Sequence, residues 1–404
     1  MLLELSATRI ISGRKQYHLF EQFERLSRKL ALARTGSYVI SFDRGFWRQF
    51  RPPVEGPDNG VQTMTSFNRR DVIKGALTAA TAVGIAPILS FEARSATKSV
   101  LNMQLGWLLS GNQLGEVCAK ALGYYDAEGI ELKFQPGGPN IDGVAVVAAG
   151  RFDVGQVSSS PSLMLAVSQD IPIKCFATGA QVHPYTFFSL EKNAVRQPQD
   201  LIGKKVGIQS TGVILLRALL AKNKIAEKDV TIIPIGADMA PLLTGQVDVV
   251  TGWLTNTTAL KVLGDKRVDM RLWDSGVRLY ALPYYATVDT LAKKPEILAK
   301  FLQATSKGWA FARGEPEKAV DFLVKEFPNL DRADELAAAK VMLQYAFSDA
   351  TKTEGWGAMD PAVWQEQISL YAELGQFSKR VPKVEEVMTL DILKMTADTR
   401  AKLG

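Results

Sequence analysis

The residue types best suited to metal binding or acid–base catalysis are few. The 404-residue chain has two histidines and two cysteines, namely His18, His183, Cys118 and Cys175. A zinc site of the Cys/His type uses ligand pairs a few residues apart, and no such pair is present. For the cysteines, free buried thiols are favoured over a disulfide. His183 precedes Pro184 at the end of an apolar stretch, where a structural hydrogen bond and a ligand contact are both open alternatives.

Motifs typical of hydrolases and nucleotide-binding proteins are also missing. A serine nucleophile would have to pair with His183, and no G-x-S-x-G turn is present to expose one. The segment 150–155 has the glycine spacing of a phosphate loop, but Gln156 and Val157 stand where that loop needs Lys and Ser/Thr. The sequence therefore predicts a protein that is not an enzyme and that needs no cofactor.

Polar residues instead follow one predicted strand after another. In open α/β sheets, ligands bind beyond the carboxyl ends of the strands, where helix N-termini present backbone N–H groups. Hydroxyl and amide groups there can bind a solute by hydrogen bonds, and aromatic rings can stack on it. The predicted ligand-binding residues are Trp107, Ser110, Asn112, Gln113, Gly138, Ser158, Ser159, Ser160, Gln181, His183, Ser210, Thr211, Trp253, Asn256 and Tyr285. Each alone could equally cap a helix or fill the core, but as a set they predict one binding cleft.

Hydrophobic spacing predicts the elements that position these residues. Leu101, Met103 and Leu105 alternate with other residues, which is the period of a strand. Apolar residues over 114–122 recur at helical spacing, and Gly123 follows as a C-terminal cap. Further strands are predicted at 130–134, 152–157, 171–177, 206–209, 231–235 and 247–251, and helices at 140–149, 162–169, 213–222 and 239–244. This alternation predicts an α/β fold with mixed, mostly parallel sheets and helices on both faces.

The two halves of this region share a weak repeat. Segments 150–154 and 245–249 both consist of a capping glycine, a turn aspartate and the start of a strand. This similarity fits two lobes of the same design. From Pro295 onward the chain is predicted to form consecutive helices at 298–313, 316–326, 333–347 and 361–374, which would pack around the first lobe.

The positive charge lies outside this region. The chain has 48 Lys and Arg against 42 Asp and Glu, a net charge of +6, and residues 1–95 hold 14 of the basic and 8 of the acidic residues. The other residues are therefore electrically balanced. A nucleic-acid-binding surface needs clustered positive charge on the folded domain, so no nucleic-acid partner is predicted.

The basic N-terminal part contains the pattern of an export signal. Arg69 and Arg70 precede an uncharged stretch of small and apolar residues over 75–89, and small residues follow at Ala93 and Ser95. This pattern predicts a cleaved twin-arginine-type signal at 64–95 and a periplasmic protein. The alternative is a buried Ala-rich helix. Residues 1–63 are expected to be an extension without a fold of its own, or to lie upstream of the true start at Met64.

Several passages resemble one family of binding proteins. The segments are 121–132 (ALGYYDAEGIEL), 137–138, 149–155, 200–207, 245–248 and 356–364 (WGAMDPAVW). Together they resemble the periplasmic solute-binding proteins of the nitrate/sulfonate/taurine ABC-importer family, which includes pyrimidine-precursor binders of NMT1/THI5-like type. The resemblance implies a two-lobed type II periplasmic-binding fold, with lobe I at 96–188 and 285–404, lobe II at 189–284, and crossings near 187–190 and 283–287.

The same resemblance implies the function. It describes a monomer that captures a small solute, pyrimidine-like or sulfonate- or nitrate-like, between its lobes and delivers it to an ABC permease in the inner membrane. Two alternatives are a thiamine-pyrimidine synthase-like enzyme, with pyridoxal phosphate held by a lysine, and a ligand-sensing domain for a membrane regulator. The cysteine-rich motif of the synthases is absent, and Asn256 with Thr257 stands where pyrimidine binders carry an acidic residue.

Overall fold

The computed structural model describes residues 98–138 and 142–404, so the predicted extension and signal at 1–95 lie outside the described residues. Within this range there are ten strands: β1 Ser99–Gln104, β2 Ile130–Gln135, β3 Val154–Gln156, β4 Ile173–Ala180, β5 Tyr185–Leu190, β6 Lys205–Ile208, β7 Thr231–Pro234, β8 Val249–Trp253, β9 Arg267–Arg271 and β10 Ala281–Thr287. The helices of the first two thirds are α1 Leu114–Ala121, α2 Tyr124–Ala127, α3 Gly143–Ala148, α4 Ser160–Ser168, α5 Val213–Lys222, α6 Ala240–Leu243 and α7 Thr257–Leu260. The remaining helices are α8 Val288–Lys293, α9 Pro295–Gly314, α10 Pro316–Glu326, α11 Arg332–Ala346, α12 Asp349–Glu354, α13 Pro361–Glu373, α14 Val384–Val387 and α15 Asp391–Met395.

The strands form two five-stranded sheets of the same design. Sheet A has the order β2-β1-β3-β10-β4, and sheet B has the order β7-β6-β8-β5-β9. In sheet A only β10 runs antiparallel to its neighbours, and in sheet B only β5 does so. Both sheets are therefore mixed and mostly parallel, as predicted. In each sheet the antiparallel strand is the one that enters from the other sheet.

The chain passes between the sheets twice. It leaves sheet A after Ala180 and enters sheet B at Tyr185, and it returns between Arg271 and Ala281. Tyr185 already pairs with Trp253, and Ala281 already pairs with Ala180. The chain therefore crosses between the sheets a few residues before the predicted crossings at 187–190 and 283–287, because those segments already pair within the sheets as parts of β5 and β10. The division into lobes at 188/189 and 284/285 stays a prediction; below, lobe I and lobe II denote the parts built around sheets A and B.

The C-terminal helices pack on lobe I, as expected from the sequence. Helices α9 and α10 cover α1, while α14 and α15 cover β4. The buried indoles of Trp309 and Trp356 stack at 5.7 Å between ring centroids, and Trp364 is also fully buried. This packing brings the aromatic residues of the C-terminal third into the core of sheet A. Among the described residues, no helix combines the length and the apolar character that a membrane span needs.

Candidate functional site

A cavity of about 280 Å³ lies between the two sheets. Its walls come from loops that follow β1, β2 and β3 in lobe I, and β6, β7 and β8 in lobe II. All of these strands point their carboxyl ends at the cavity. It therefore lies where ligands bind in open α/β sheets.

Nine of the predicted binding residues line this cavity. They are Trp107, Asn112, Gln113, Gly138, Ser158, Ser159, Thr211, Trp253 and Asn256. Lobe I supplies the first six, and lobe II supplies the last three. The structure thus brings together, around one space, residues that are up to 149 positions apart in the sequence. Their contact with a ligand stays a prediction.

Six predicted residues do not line the cavity, because each is used elsewhere. The Ser160 hydroxyl donates to Gln367 Oε1 at 2.6 Å, and Gln181 Nε2 donates to the Ala358 carbonyl at 2.9 Å, so both amide and hydroxyl are bound within lobe I. Ser110 is a cap whose Oγ accepts from the Asn112 amide. Ser210 is exposed at the start of a 3₁₀ turn. The ring of Tyr285 packs over Gly155 within sheet A.

His183 is the sixth, and it lies behind the cavity wall. Its Nδ1 accepts a hydrogen bond from the Tyr185 backbone N–H at 3.2 Å, so the ring hydrogen is on Nε2, 2.6 Å from Ser159 Oγ. Burial lowers the pKa of His183 to about 3, so the ring is neutral at physiological pH. The imidazole also meets the Trp253 indole edge-to-face at 5.3 Å between centroids. Of the two alternatives for His183, the structure shows the hydrogen-bonded structural role.

The two tryptophans reach the cavity from opposite lobes. Trp253 ends β8 and is paired across the strands with Tyr185. Trp107 follows β1 after Gly106, where a Cβ atom would lie 2.7 Å from the Gln156 carbonyl oxygen. Only glycine allows the loop to cross β3 this closely. As a result, one indole from each lobe borders the same space.

The wall contains further residues that are not in the predicted set of ligand-binding residues. The additional lining residues are Gly106, Asp142, Gly143, Val144, Gln156, Val157, Ser162, Tyr185, Gln209, Gly212, Leu215, Ala237, Gly252 and Leu282. Gln156 and Tyr185 lie inside strands, where a buried residue looks like core. For Gln156 a signal was present, because a glutamine at the end of an apolar strand needs hydrogen-bond partners.

The wall of the cavity carries almost no charge. Asp142 is the one ionisable carboxylate among the lining residues, and its Oδ1 caps α3 by accepting from the Ala145 N–H at 3.0 Å. Among the described residues, no lysine or arginine lines the cavity. This part of the chain also contains no group of His, Cys, Asp and Glu that could hold a metal ion. Besides the Asp142 carboxylate, these residues offer a ligand amides, hydroxyls and indoles.

A buried carboxyl lies one layer behind this wall. Glu116 in α1 is fully buried, and its Oε1 accepts from Gln156 Nε2 at 3.3 Å and from the Tyr284 hydroxyl. Desolvation raises the pKa of Glu116 to about 7. Gln156 is in turn hydrogen-bonded to Gln113, so the carboxyl is linked to the cavity wall by side-chain amides.

Comparison with known families identifies this architecture. The family model described as "NMT1/THI5 like" matches residues 110–319, which is more than half of the chain. The chain belongs to the NMT1/THI5-like family. Apart from Gly106 and Trp107, every residue that lines the cavity lies inside the segment matched by the NMT1/THI5-like model. The resemblance found in the sequence is therefore confirmed.

Relatives of this NMT1/THI5-like chain include binding proteins and an enzyme. It is 27% identical to the riboflavin-binding protein RibY of Chloroflexus aurantiacus, over 61% of this chain and 72% of the relative. It is 25% identical to a 4-amino-5-hydroxymethyl-2-methylpyrimidine phosphate synthase of Legionella pneumophila, over 59% of this chain and 77% of the relative.

Among solved structures, the periplasmic aliphatic sulphonate binding protein SsuA of Escherichia coli matches with a TM-score of 0.58. The match has 17% identity and covers 71% of this chain and 97% of that protein. At this identity the match concerns the fold. The fold is the two-lobed type II periplasmic-binding-protein fold, as predicted.

Proposed function

We propose that this protein is the substrate-binding component of an ABC importer and that it captures an uncharged heteroaromatic solute between its lobes. The observation that carries the proposal is the pair of indoles, Trp107 and Trp253, which border one cavity from opposite lobes, with no lysine or arginine among its described lining residues. Closure of two lobes on a flat ring would bury both of its faces, and aromatic contacts of this kind are favourable beyond the area that they bury.

The absence of lysine and arginine from the wall argues against a sulfonate or nitrate. Burial of an anion without a cation or a dense set of N–H donors is costly. The lining residues include five side-chain amides, Asn112, Gln113, Gln156, Gln209 and Asn256, which suit the nitrogen and carbonyl edges of a neutral ring. Riboflavin, the ligand named for the relative RibY, is a compound of this class, and the Legionella synthase is named for a phosphate ester of a heteroaromatic ring.

The proposed role requires export. Relatives with this fold are periplasmic, which supports the signal predicted at 64–95 and its twin-arginine type. After cleavage, the folded part would act as a monomer that meets the permease with both lobes. Ligand binding would favour the closed arrangement of the lobes by its differential affinity for that state.

The synthase relative makes an enzyme the second candidate. The synthase alternative needs a lysine that can hold pyridoxal phosphate as an imine, and none of the lining residues is a lysine. His183, the one histidine in the described part of the chain, is 1% exposed and is held by Ser159 and Tyr185. The residues around the cavity thus do not fit the cofactor, and this favours the binding role.

Titration calorimetry on residues 96–404 tests the proposal. The probes are riboflavin, 4-amino-5-hydroxymethyl-2-methylpyrimidine, taurine and nitrate. We expect a dissociation constant on the order of micromolar or below for at least one aromatic probe, and no binding of taurine or nitrate. Binding of taurine or nitrate alone, or of no probe, would overturn the proposal. Cells without the protein should lose uptake of the bound compound, and unchanged uptake would favour the sensing alternative.

A further inference from the structure

A line of hydrogen bonds connects the cavity wall to the buried carboxyl of Glu116. The Ser110 backbone N–H donates to Gln113 Oε1 at 3.3 Å, and Gln113 Nε2 donates to Gln156 Oε1 at 3.0 Å. Gln156 Nε2 then donates to Glu116 Oε1 at 3.3 Å. Gln113 and Gln156 both line the cavity, and they are 2% and 1% exposed. We call these three side chains the amide relay.

The direction of the amide relay is determined at both ends. A backbone N–H can only donate, so Gln113 must turn its oxygen to Ser110 and its NH₂ group to Gln156. Gln156 must then offer its oxygen to Gln113 and its NH₂ group to Glu116. The carboxyl group accepts this bond, and it also accepts from Tyr284. If either glutamine turned over, two donors would face each other.

This direction leaves donors for a ligand. Each amide nitrogen carries two hydrogens, and within the described residues each makes one hydrogen bond. The second hydrogens of Gln113 and Gln156 have no acceptor there. A solute in the cavity would satisfy them with a carbonyl oxygen or an unprotonated ring nitrogen. An amino group at the same place would meet a donor with a donor.

The described surroundings of Glu116 hold hydrogen-bond donors, Gln156 and the Tyr284 hydroxyl, but no cation. Gly115, its neighbour, packs against the Trp309 indole, and the ionisable groups near the carboxyl are Cys118, Tyr125 and Tyr284. None of these is a cation, so Glu116 has no ion-pair partner in the described part of the chain. The carboxyl therefore serves as the acceptor for these two buried donors, and Gln156 is the one of them that also lines the cavity.

We propose that Glu116 is a positioning residue for the ligand, because it holds the NH₂ group of Gln156 on the side of the carboxyl. The site is then selective for rings that present hydrogen-bond acceptors to Gln113 and Gln156. This inference rests on the proposed function and narrows its solute class. A dione edge offers two carbonyl acceptors to this wall, whereas the amino edge of an aminopyrimidine offers one ring nitrogen and a donor.

The test compares variants of Glu116 with riboflavin and 4-amino-5-hydroxymethyl-2-methylpyrimidine as calorimetric probes. Glu116→Gln keeps an acceptor at Oε1, so we expect affinity for riboflavin within about threefold of wild type. Glu116→Met keeps the length but removes the acceptor, and affinity for riboflavin should fall about tenfold or more. Gln156 would then be held only by Gln113, so its amide turns more easily and affinity for the aminopyrimidine should fall less or rise. The informative readout is the ratio of the two affinities, riboflavin over the aminopyrimidine, because a merely structural defect weakens binding of both probes alike.

Two further variants keep the test decisive. Cys118→Ala removes a buried group from the same helix without touching the amide relay, and it should leave the ratio unchanged. If Glu116→Met does not fold, Gln156→Met serves instead, because it removes the middle of the amide relay. It should weaken binding of riboflavin more than binding of the aminopyrimidine. An unchanged ratio in the foldable variant would overturn the inference and leave the proposed function intact. If the wild type binds neither aromatic probe, the proposed function fails, and this inference fails with it.

Discussion

Asp153 and Asp248 occupy equivalent positions in the two sheets. Each precedes the first ladder residue of a strand, and each binds the backbone of the parallel neighbour strand twice. The Asp153 N–H donates to the Asn102 carbonyl at 3.0 Å, and its Oδ2 accepts from the Asn102 N–H at 3.0 Å. The same two bonds join Asp248 to Lys205, both at 2.8 Å. A glycine with φ near +70° stands three residues earlier in both cases, at Gly150 and Gly245.

This equivalence predicts matched losses of stability. Asp153→Ala and Asp248→Ala each remove a hydrogen bond from a backbone N–H to a charged acceptor, so each should lower the free energy of unfolding by about 1.5–3 kcal/mol. Urea unfolding measures this. Asp398 is exposed and serves as the control, since its change to Ala should shift the value by less than about 0.5 kcal/mol. A loss at one aspartate without the other would contradict the structural repeat.

The two indoles should dominate ligand affinity. We expect Trp107→Ala and Trp253→Ala each to weaken binding of the aromatic probe by about 10- to 100-fold, because each removes one stacking face from the cavity. Calorimetry measures the affinity, and thermal unfolding checks that the variants are folded. Trp273, which lies outside the cavity, is the matched control, and Trp273→Ala should bind normally. Full affinity in both cavity variants would place the site elsewhere.

Substitution of Tyr185 should change ligand affinity without lowering stability. Its hydroxyl is buried without a hydrogen-bond partner among the described residues, and it lies 2.0 Å from where a Cβ atom of residue 212 would be. Tyr185→Phe removes no internal hydrogen bond, so we expect an unchanged or slightly higher Tm. Affinity for the aromatic probe should fall about three- to tenfold if the hydroxyl completes its bonding through the ligand. A lower Tm with full affinity would be the opposite of this prediction.

Glu116 and His183 should give the stability opposite dependences on pH. The folded pKa of Glu116 is raised from 4.5 to about 7, so between these values the folded protein holds a proton that the unfolded chain has released. Its contribution to the free energy of unfolding therefore decreases by about 1.4 kcal/mol per pH unit as the pH rises through this window. The folded pKa of His183 is lowered from 6.5 to about 3, so its contribution increases with pH between those values.

Difference curves between variants and wild type isolate each group. The free energy of unfolding of Glu116→Gln minus that of wild type should rise from pH 4.5 to about 7, by a total of about 3 kcal/mol. The difference for His183→Gln should change in the other direction below pH 6.5. Chemical unfolding at several pH values provides both curves. A flat difference curve for Glu116→Gln would show that the carboxyl titrates at its ordinary pKa.

Asp334 joins the two lobes by hydrogen bonds. It lies on α11, which packs with lobe I, and its Oδ2 accepts from Thr258 of lobe II at 2.7 Å. Thr257 donates to its backbone carbonyl at 2.9 Å, and Lys261 pairs with its Oδ1. Asp334→Ala should therefore weaken binding of the aromatic probe about three- to tenfold, because the contact between the lobes loses the side-chain bonds to Thr258 and Lys261. Asp321→Ala, which breaks a surface pair with Arg332, is the control and should not change affinity.

Small-angle scattering can check the cause of that effect. The ligand-free Asp334→Ala protein should have a larger radius of gyration than wild type, as expected if the lobes separate more often. An unchanged radius together with unchanged affinity would show that these contacts do not hold the lobes together.

Much of the fold could be predicted because the periodicity is local. The predicted helices 213–222 and 316–326 coincide with α5 and α10, and the strand predicted at 152–157 contains β3. Strand ends were less accurate: Phe152 and Asp153 belong to the turn that follows Gly150, since ladder pairing begins only at Val154. The polar turns after the strands also indicated, from the sequence, which loops border the cavity.

The order of strands and helices, the glycine-aspartate turns and the loops that carry polar side chains follow from local sequence, because these depend on neighbours within a few residues. Long-range packing, in contrast, places Gln156 and Tyr185 in the cavity wall and holds Ser160 and Gln181 within lobe I. The direction of a side chain at the end of a strand depends on the ladder register and on which distant segment packs beside it. Those contacts join residues that are far apart in the chain, so no local pattern encodes them.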